Sequence, residues 1–170
     1  MIYIIILFVI VLLVVFYNYF HRKPIRITNL PLDIIVSPAD GLVKNATGRN
    51  ISIFLNIFNV HCQYVPINSY VKDIIIISGS YNLANTPESI HNEGVKVIFE
   101  SKLGEIEVIQ RVGFFVRRIQ NTIKKNEYVE RNHIYGMIKL GSRVDIKLPE
   151  GFKTNLKVGQ KIYGGLTPII

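Results

Sequence analysis

From Met1 to Phe20 the chain carries no Asp, Glu, Lys or Arg, and Met1–Phe16 is unbroken apolar sequence. Twenty helical residues at ~1.5 Å rise reach about 30 Å, the thickness of a hydrocarbon core. Tyr17, Tyr19 and Phe20 close the run with aromatic side chains of the kind that collect at a membrane interface. Arg22, Lys23 and Arg26 follow at once, and no basic side chain precedes the run. The positive-inside bias then places the remainder on the cytoplasmic side. A cleavable signal peptide needs a basic n-region and a small-residue cleavage site, and this segment shows neither. The expectation is a retained single-pass anchor over residues 1–20, a linker over 21–33 and a domain over 34–170.

Beyond the anchor the composition is ordinary. All 20 basic and 12 acidic residues fall after residue 21, so the 49% apolar content is concentrated at the N-terminus. That balance excludes disorder and a multi-span membrane protein, and the length suits one domain with a core. The net charge of +8 favours an anionic surface. Its aromatic residues are scattered rather than interleaved with basic ones, so acidic lipid is the expected partner and nucleic acid is not. Cys62 is the single cysteine, which excludes an intrachain disulfide and provides no metal-ligand spacing. As a nucleophile beside His61 it is disfavoured, because adjacent residues on a strand face opposite sides.

Pro24 and Pro31 end any continuation of the helix. From Ile34 onward short β-rich runs alternate with Gly, Asn and Pro. The expected strands are Ile34–Val36, Ile51–Leu55, Gln63–Val65, Val71–Ser78, Val95–Glu100, Glu105–Val112, Gly136–Leu140 and Val144–Leu148. Within them, the β-branched run Ile74–Ile77 reads as covered on both faces. Phe114–Asn121 is undecided between helix and strand. The fold class is mainly β: a compact antiparallel barrel or sandwich-like domain with one N-terminal transmembrane helix.

Two stretches carry the chemistry. Ser37-Pro-Ala-Asp40-Gly41 follows a predicted strand, and Leu140-Gly141-Ser142-Arg143-Val-Asp145 lies between two others. Each alone reads as a turn, since proline fixes φ and Asp-Gly tolerates a positive one. Their order, together with Tyr19–Arg26, Phe54–Pro66, Gly79–Asn85, His91–Glu93, Gln110–Arg118 and Val158–Lys161, resembles the phosphatidylserine decarboxylase proenzymes, most closely their short form. The resemblance covers nearly the whole chain.

What it implies is a pyruvoyl-dependent lyase that decarboxylates phosphatidylserine to phosphatidylethanolamine after autocatalytic cleavage at Gly141–Ser142. The Ser142 hydroxyl would attack the Gly141 carbonyl to form an ester. β-Elimination would then free residues 1–141 and leave dehydroalanine, the source of a pyruvoyl group covalently bound at residue 142. That carbonyl would condense with the serine amine of the lipid and accept the electrons released with CO₂. The mature protein would be a two-chain heterodimer of 1–141 and 142–170, with homo-oligomers also allowed. A glycine before the serine lets the backbone bend into an attackable geometry.

Serine needs a base, and the resemblance assigns Asp40 and a histidine, the carboxylate supporting the imidazole as in a triad. His61 matches the family's Asn-Val-His motif and is the first choice; His91, in His-Asn-Glu, is the second. Asn59 and Arg143 are expected at the substrate. Arg117, Arg118, Lys124, Lys125 and Arg143 are either attractors of an anionic head group, at ~1 kcal/mol each, or a solvated basic face. Tyr64 departs from the histidine or arginine that family members place there. An archaeal-type lipid with the same serine head group also fits. The competing reading is a non-enzymatic, membrane-tethered β module, because Lys157–Leu166 also resembles the closing hairpin of biotinyl and lipoyl barrels.

Overall fold

The computed structural model describes residues 1–113, 119–139 and 142–170. Helix α1 (Ile2–Phe20) is one continuous apolar helix whose only buried side chain is Phe20. It is long and apolar enough to cross a membrane. Among the described residues the domain is built from eleven strands in two antiparallel sheets. The larger sheet has the order β11-β1-β2-β10-β6-β5-β4-β8. Its strands are β1 (Gly41–Thr47), β2 (Asn50–Leu55), β4 (Ser69–Ile77), β5 (Gly94–Ser101), β6 (Gly104–Arg111), β8 (Tyr128–Val129), β10 (Ser142–Lys147) and β11 (Lys161–Ile162). The smaller sheet, β3-β9-β7, comprises β3 (Cys62–Tyr64), β7 (Ile119–Asn121) and β9 (Ile134–Ile138). A five-residue 3₁₀ turn, Pro87–His91, precedes β5.

Alternation explains the central strands. Ile51, Ile53 and Leu55 on β2, Val144 and Ile146 on β10, Ile106 and Val108 on β6, and Val97 and Phe99 on β5 all enter one buried cluster. Period-2 patterning with one buried face produces this arrangement. On the outer face, Glu107 accepts from Lys96 at 2.8 Å and from Lys147 at 3.1 Å, so opposite charges meet across β5, β6 and β10. Tyr135 of β9 reaches the same core and meets Phe99 edge-on, with ring centroids 5.4 Å apart.

Three expectations change. Ile34–Val36 is not a strand; Val36 makes one isolated bridge, to Pro168. Ile74–Ile77 is not covered on both faces, for Ile75 and Ile76 are 39% and 79% exposed. β8 pairs only with Ser69 and Tyr70, so among the described residues the far half of β4 has β5 on one side and no paired strand on the other. β-branched side chains favour a pleated strand without specifying burial. β1 was also not expected, because Gly41-Leu-Val-Lys-Asn-Ala-Thr47 lacks a clean alternation. Of the undecided segment, Ile119–Asn121 is strand β7; residues 114–118, which include Arg117 and Arg118, lie outside the described residues, as do Leu140 and Gly141.

Gly41 starts β1 with φ +155°, and a Cβ there would meet the Phe54 carbonyl oxygen at 2.3 Å. The β1–β2 pair therefore closes only around glycine at this position. Gly41→Ala is expected to destabilise the domain by about 2 kcal/mol or more. Urea unfolding of the full chain in detergent, followed by tyrosine fluorescence, reads this as a lower midpoint.

Candidate active site

The registers bring the chemistry-bearing motifs to one end of the large sheet. Leu42, Phe54, Arg143, Arg111 and Gly94 are successive cross-strand neighbours on β1, β2, β10, β6 and β5. Asp40, Asn56, Ser142, Val112 and Glu93 therefore flank this row at the same end. Strand pairing does this because each motif sits where its strand begins or stops. Ser142 pairs with Leu55, and two strands away Asp40 precedes Gly41.

β2 ends in a tight turn, Asn56–Asn59, that leads to His61. The amide of Asn59 donates to Asn56 O at 3.0 Å, and Asn59 Oδ1 accepts from the Asn56 amide at 2.8 Å. Asn59 O lies 3.0 Å from His61 Nδ1. A carbonyl only accepts, so Nδ1 carries the proton and Nε2 holds the lone pair in the neutral ring. His61 is fully buried, and its Nε2 has no hydrogen-bond partner among the described residues. The Phe20 ring covers it, with centroids 4.2 Å apart. Burial is the main reason its pKa falls to about 4, with Arg22 adding to the effect against the Asn59 hydrogen bond and Asp40. The imidazole is therefore neutral at pH 7, the form that accepts a proton.

β9 ties the His61 segment to the stretch of chain that leads into β10. The Ile138 amide donates to His61 O at 3.1 Å, four residues before Ser142. Ser142 is fully buried, and its Oγ has no partner among the described residues. Ser142 Oγ and His61 Nε2 are two of eight buried side-chain atoms without a partner among the described residues, and strand pairing brings both of their segments to the same end of the sheet. Burying such atoms costs about 1–3 kcal/mol each, and a catalytic role is one physical reason for bearing that cost.

Asp40 is 4% exposed and is held by groups far away in sequence. Arg26 grips it with both guanidinium nitrogens, Nη2 reaching Oδ2 at 2.9 Å. The Gly164 amide donates to Oδ1 at 2.8 Å, and Arg26 also donates to the Gly164 carbonyl. Residues 20–26 form a strap along β3. Cys62 Sγ lies 3.6 Å from Arg22 O, Tyr64 OH donates to Pro24 O at 2.9 Å, and Arg26 stands 4.8 Å above the Tyr64 ring. Burial pushes the Cys62 thiol up to about 11 and the Tyr64 phenol up to about 12, so at neutral pH neither is a nucleophilic anion. No described hydrogen bond joins Asp40 to His61; the carboxylate acts on the imidazole through space.

Arg143 follows Ser142 and faces the other side of β10. Its guanidinium donates to Asp145 at 2.7 Å, Ser52 at 2.9 Å and Ser89 at 3.0 Å. Arg111 donates to the second oxygen of Asp145 at 2.7 Å. This network clamps the Pro87–His91 turn onto the sheet, and Arg143 and Lys44 line a cavity of about 350 Å³ beside it. His91, the other candidate base, is exposed at the end of that turn; its carbonyl accepts from Ser80. Lys125 pairs with Asp73. Gly141 lies outside the described residues. A larger cavity, about 540 Å³, is lined by Ile67, Tyr70, Leu103 and Tyr128 at the opposite end of the strands. None of the chemical motifs reaches it, so volume alone does not mark the site. Sequence reasoning missed the pairing of Arg26 and Gly164 with Asp40, for which no local pattern exists.

Residues 13–170 match the family model described as phosphatidylserine decarboxylase. A protein of Methanococcoides burtonii, provisionally named archaetidylserine decarboxylase proenzyme, is 37% identical over 91% of this chain and 74% of its own length. The phosphatidylserine decarboxylase proenzyme of Streptomyces avermitilis is 38% identical over 89% and 72%. That of Chlorobaculum parvum is 36% identical over 92% and 79%.

Two outcomes follow from the buried charges. Arg26→Met leaves the Asp40 carboxylate buried without its counter-ion and should destabilise the fold by roughly 3–5 kcal/mol, read from urea midpoints in detergent. The folded pKa of His61, about 4, lies below the roughly 6.5 of an unfolded histidine. Its contribution is therefore complete above about pH 6.5 and is lost as pH falls through about 4. In unfolding at pH 7 and pH 4, wild type should lose more stability than His61→Gln.

Proposed function

A chain matched over residues 13–170 and so similar to these relatives belongs to the phosphatidylserine decarboxylase family of carboxy-lyases, and from that membership we propose that it matures by cutting itself at Gly141–Ser142 and then decarboxylates a serine-headed glycerophospholipid. The observation that carries this reading is the pair of buried, unpartnered atoms, Ser142 Oγ and His61 Nε2, at the sheet end where the motifs meet. Phosphatidylserine is the substrate named by the family. The lipid named for the Methanococcoides relative has the same serine as its reacting group, so the chemistry is common to both.

In maturation, His61 Nε2 takes the Ser142 hydroxyl proton while Oγ attacks the Gly141 carbonyl. The peptide nitrogen leaves as the amine of residue 142, and an ester replaces the amide. Removal of the Cα proton of residue 142 then expels residues 1–141 as a carboxylate and leaves dehydroalanine. Tautomerisation and hydrolysis release ammonia and leave a pyruvoyl group at residue 142. Asp40, fixed by Arg26 and Gly164, supports positive charge on the ring when His61 is protonated. Ser142 suits this conversion because its hydroxyl makes no described hydrogen bond, so losing it costs the fold none.

The pyruvoyl group supplies an electron-accepting carbonyl for the serine amine and for the electrons freed with CO₂. This chain's residues bind and protonate around it. His61 is positioned to return a proton to the carbon that loses CO₂. Asn59 fixes the His61 tautomer, and Arg143 with Lys44 offers positive charge to the lipid phosphate. His91, exposed on the clamped turn, is the second candidate for the proton steps. Helix α1 holds the domain at the membrane, and Arg22, Lys23 and Arg26 place it on the cytoplasmic face. The mature protein is a two-chain assembly of 1–141 and 142–170.

The full chain in membranes should yield a fragment of residues 142–170 that lacks a free amine and reacts with hydroxylamine, seen by intact-mass spectrometry. Ser142→Ala should stay uncut and release no CO₂ from carboxyl-labelled phosphatidylserine vesicles. His61→Ala should mature ~10²–10⁴-fold more slowly. An uncut chain that is active, or normal maturation of Ser142→Ala, defeats the proposal.

A further inference from the structure

The turn between β2 and β3 exposes two large apolar side chains, Ile57 at 43% and Phe58 at 63%. Its backbone, in contrast, is largely satisfied from within the protein. The amides of Asn56 and Phe58 donate to Asn59 Oδ1 and Asn56 Oδ1, at 2.8 and 2.9 Å, and the Asn59 amide closes the turn onto Asn56 O. The Phe58 carbonyl accepts twice, from Tyr19 OH at 3.1 Å and Arg22 Nη2 at 2.7 Å. A turn bathed in water needs no such provision, because solvent completes its hydrogen bonds. A turn entering a layer of low dielectric does need it, since each unmet backbone group there costs several kcal/mol.

Both donors to Phe58 sit where α1 ends. Tyr19 belongs to its last turn, and Arg22 follows it, stacked 3.8 Å from the Tyr19 ring centroid. The apolar tip is therefore tied to the level at which the apolar helix stops. Lys23 is exposed beside it, where a cation meets anionic head groups. The combination of exposed apolar tip, internally paired backbone and flanking cations is continuous with one feature of the chain, the anchor.

We propose that Ile57 and Phe58 insert into the interfacial layer of the bilayer that α1 enters, as a second, non-spanning membrane contact. The proposal rests on reading α1 as a membrane anchor. Apolar side chains of this kind sit ~5–10 Å deep, at the boundary of head groups and acyl chains. The turn begins next to Leu55, the partner of Ser142, and ends two residues before His61. Seating it in the interface lays the Ser142 end of the sheet at head-group level, so a serine lipid reaches the site without leaving its leaflet.

The chain has no tryptophan, so Phe58→Trp reports from the tip alone. The full chain is reconstituted into phosphatidylcholine–phosphatidylglycerol vesicles, with and without brominated acyl chains. Tyr3→Trp reports on α1, and Tyr70→Trp reports from the opposite end of the sheet, where Tyr70 is 56% exposed. Phe58→Trp and Tyr3→Trp should each lose roughly half their emission to the brominated lipid, as expected at that depth, and Tyr70→Trp should lose none. Ile57→Trp provides the same reading should the Phe58 variant fail to fold. Tyr3→Trp quenched with both tip variants unquenched overturns the contact and leaves the anchor standing. Tyr3→Trp unquenched overturns both. Quenching of Tyr70→Trp equal to that of the tip also overturns the proposal, because the contact is then not specific. The readout needs neither self-cleavage nor decarboxylation, so it stands or falls apart from the catalytic assignment.

Discussion

The Asp40 carboxylate is the charge around which the site end of the domain is organised. It is almost wholly buried, and an unpaired carboxylate in such a place would cost several kcal/mol. Its donors come from the strap at Arg26 and the C-terminal segment at Gly164, segments 138 residues apart. Satisfying one charge therefore fixes the strap, the start of β1 and the C-terminal turn against one another. Glycine is required at the close approaches. A Cβ at Gly164 would meet Tyr64 Cδ2 at 2.8 Å, and one at Gly41 would press on the Phe54 carbonyl. The guanidinium fork suits this place because it fills both carboxylate oxygens at once.

Around that rigid corner the fold leaves other polar atoms unsatisfied. His61 is turned by the Asn59 carbonyl so that its lone pair lies on Nε2, and the same burial that keeps it neutral leaves Nε2 unpaired. Ser142 starts its strand with an unpaired, buried hydroxyl. The Tyr135 hydroxyl is left unpaired in the core as well, so what sets these two groups apart is their chemistry. A proton acceptor and a nucleophile held away from water are what the proposed self-cleavage requires. The strap gives the arrangement a second meaning, because the residues at the end of α1 and just beyond it, Phe20 to Arg26, are the ones that cover His61, Cys62, Tyr64 and Asp40. The segment that follows α1 is therefore also a wall over these side chains.

Much of this was legible in the linear chain, and the failures share a cause. The strands with clean alternation, β2, β5, β6 and β10, were expected close to their observed bounds, because a half-buried strand writes its period into local sequence. β1 was missed because Lys44 and Asn45 interrupt that period. Ile74–Ile77 was taken as covered on both faces because β-branched side chains announce a strand but not its neighbours. At the site, Asp40, His61 and Ser142 were singled out through motif order. Their surroundings were not, since the counter-ion of Asp40, the ring over His61 and the serines that engage Arg143 come from elsewhere in the chain.

By itself the sequence determined the apolar helix, the β class of the domain and the residues able to do chemistry. Each of these depends on side-chain character or on periods of two and 3.6 residues, which are local properties. Only the tertiary structure decided that the motifs share one sheet end, that Arg26 and Gly164 hold Asp40, and that His61 is neutral with its lone pair on Nε2. It also decided that an apolar turn stands beside the end of α1. Those are outcomes of strand register and burial, which arise from contacts between distant segments and leave no trace in any short window of sequence.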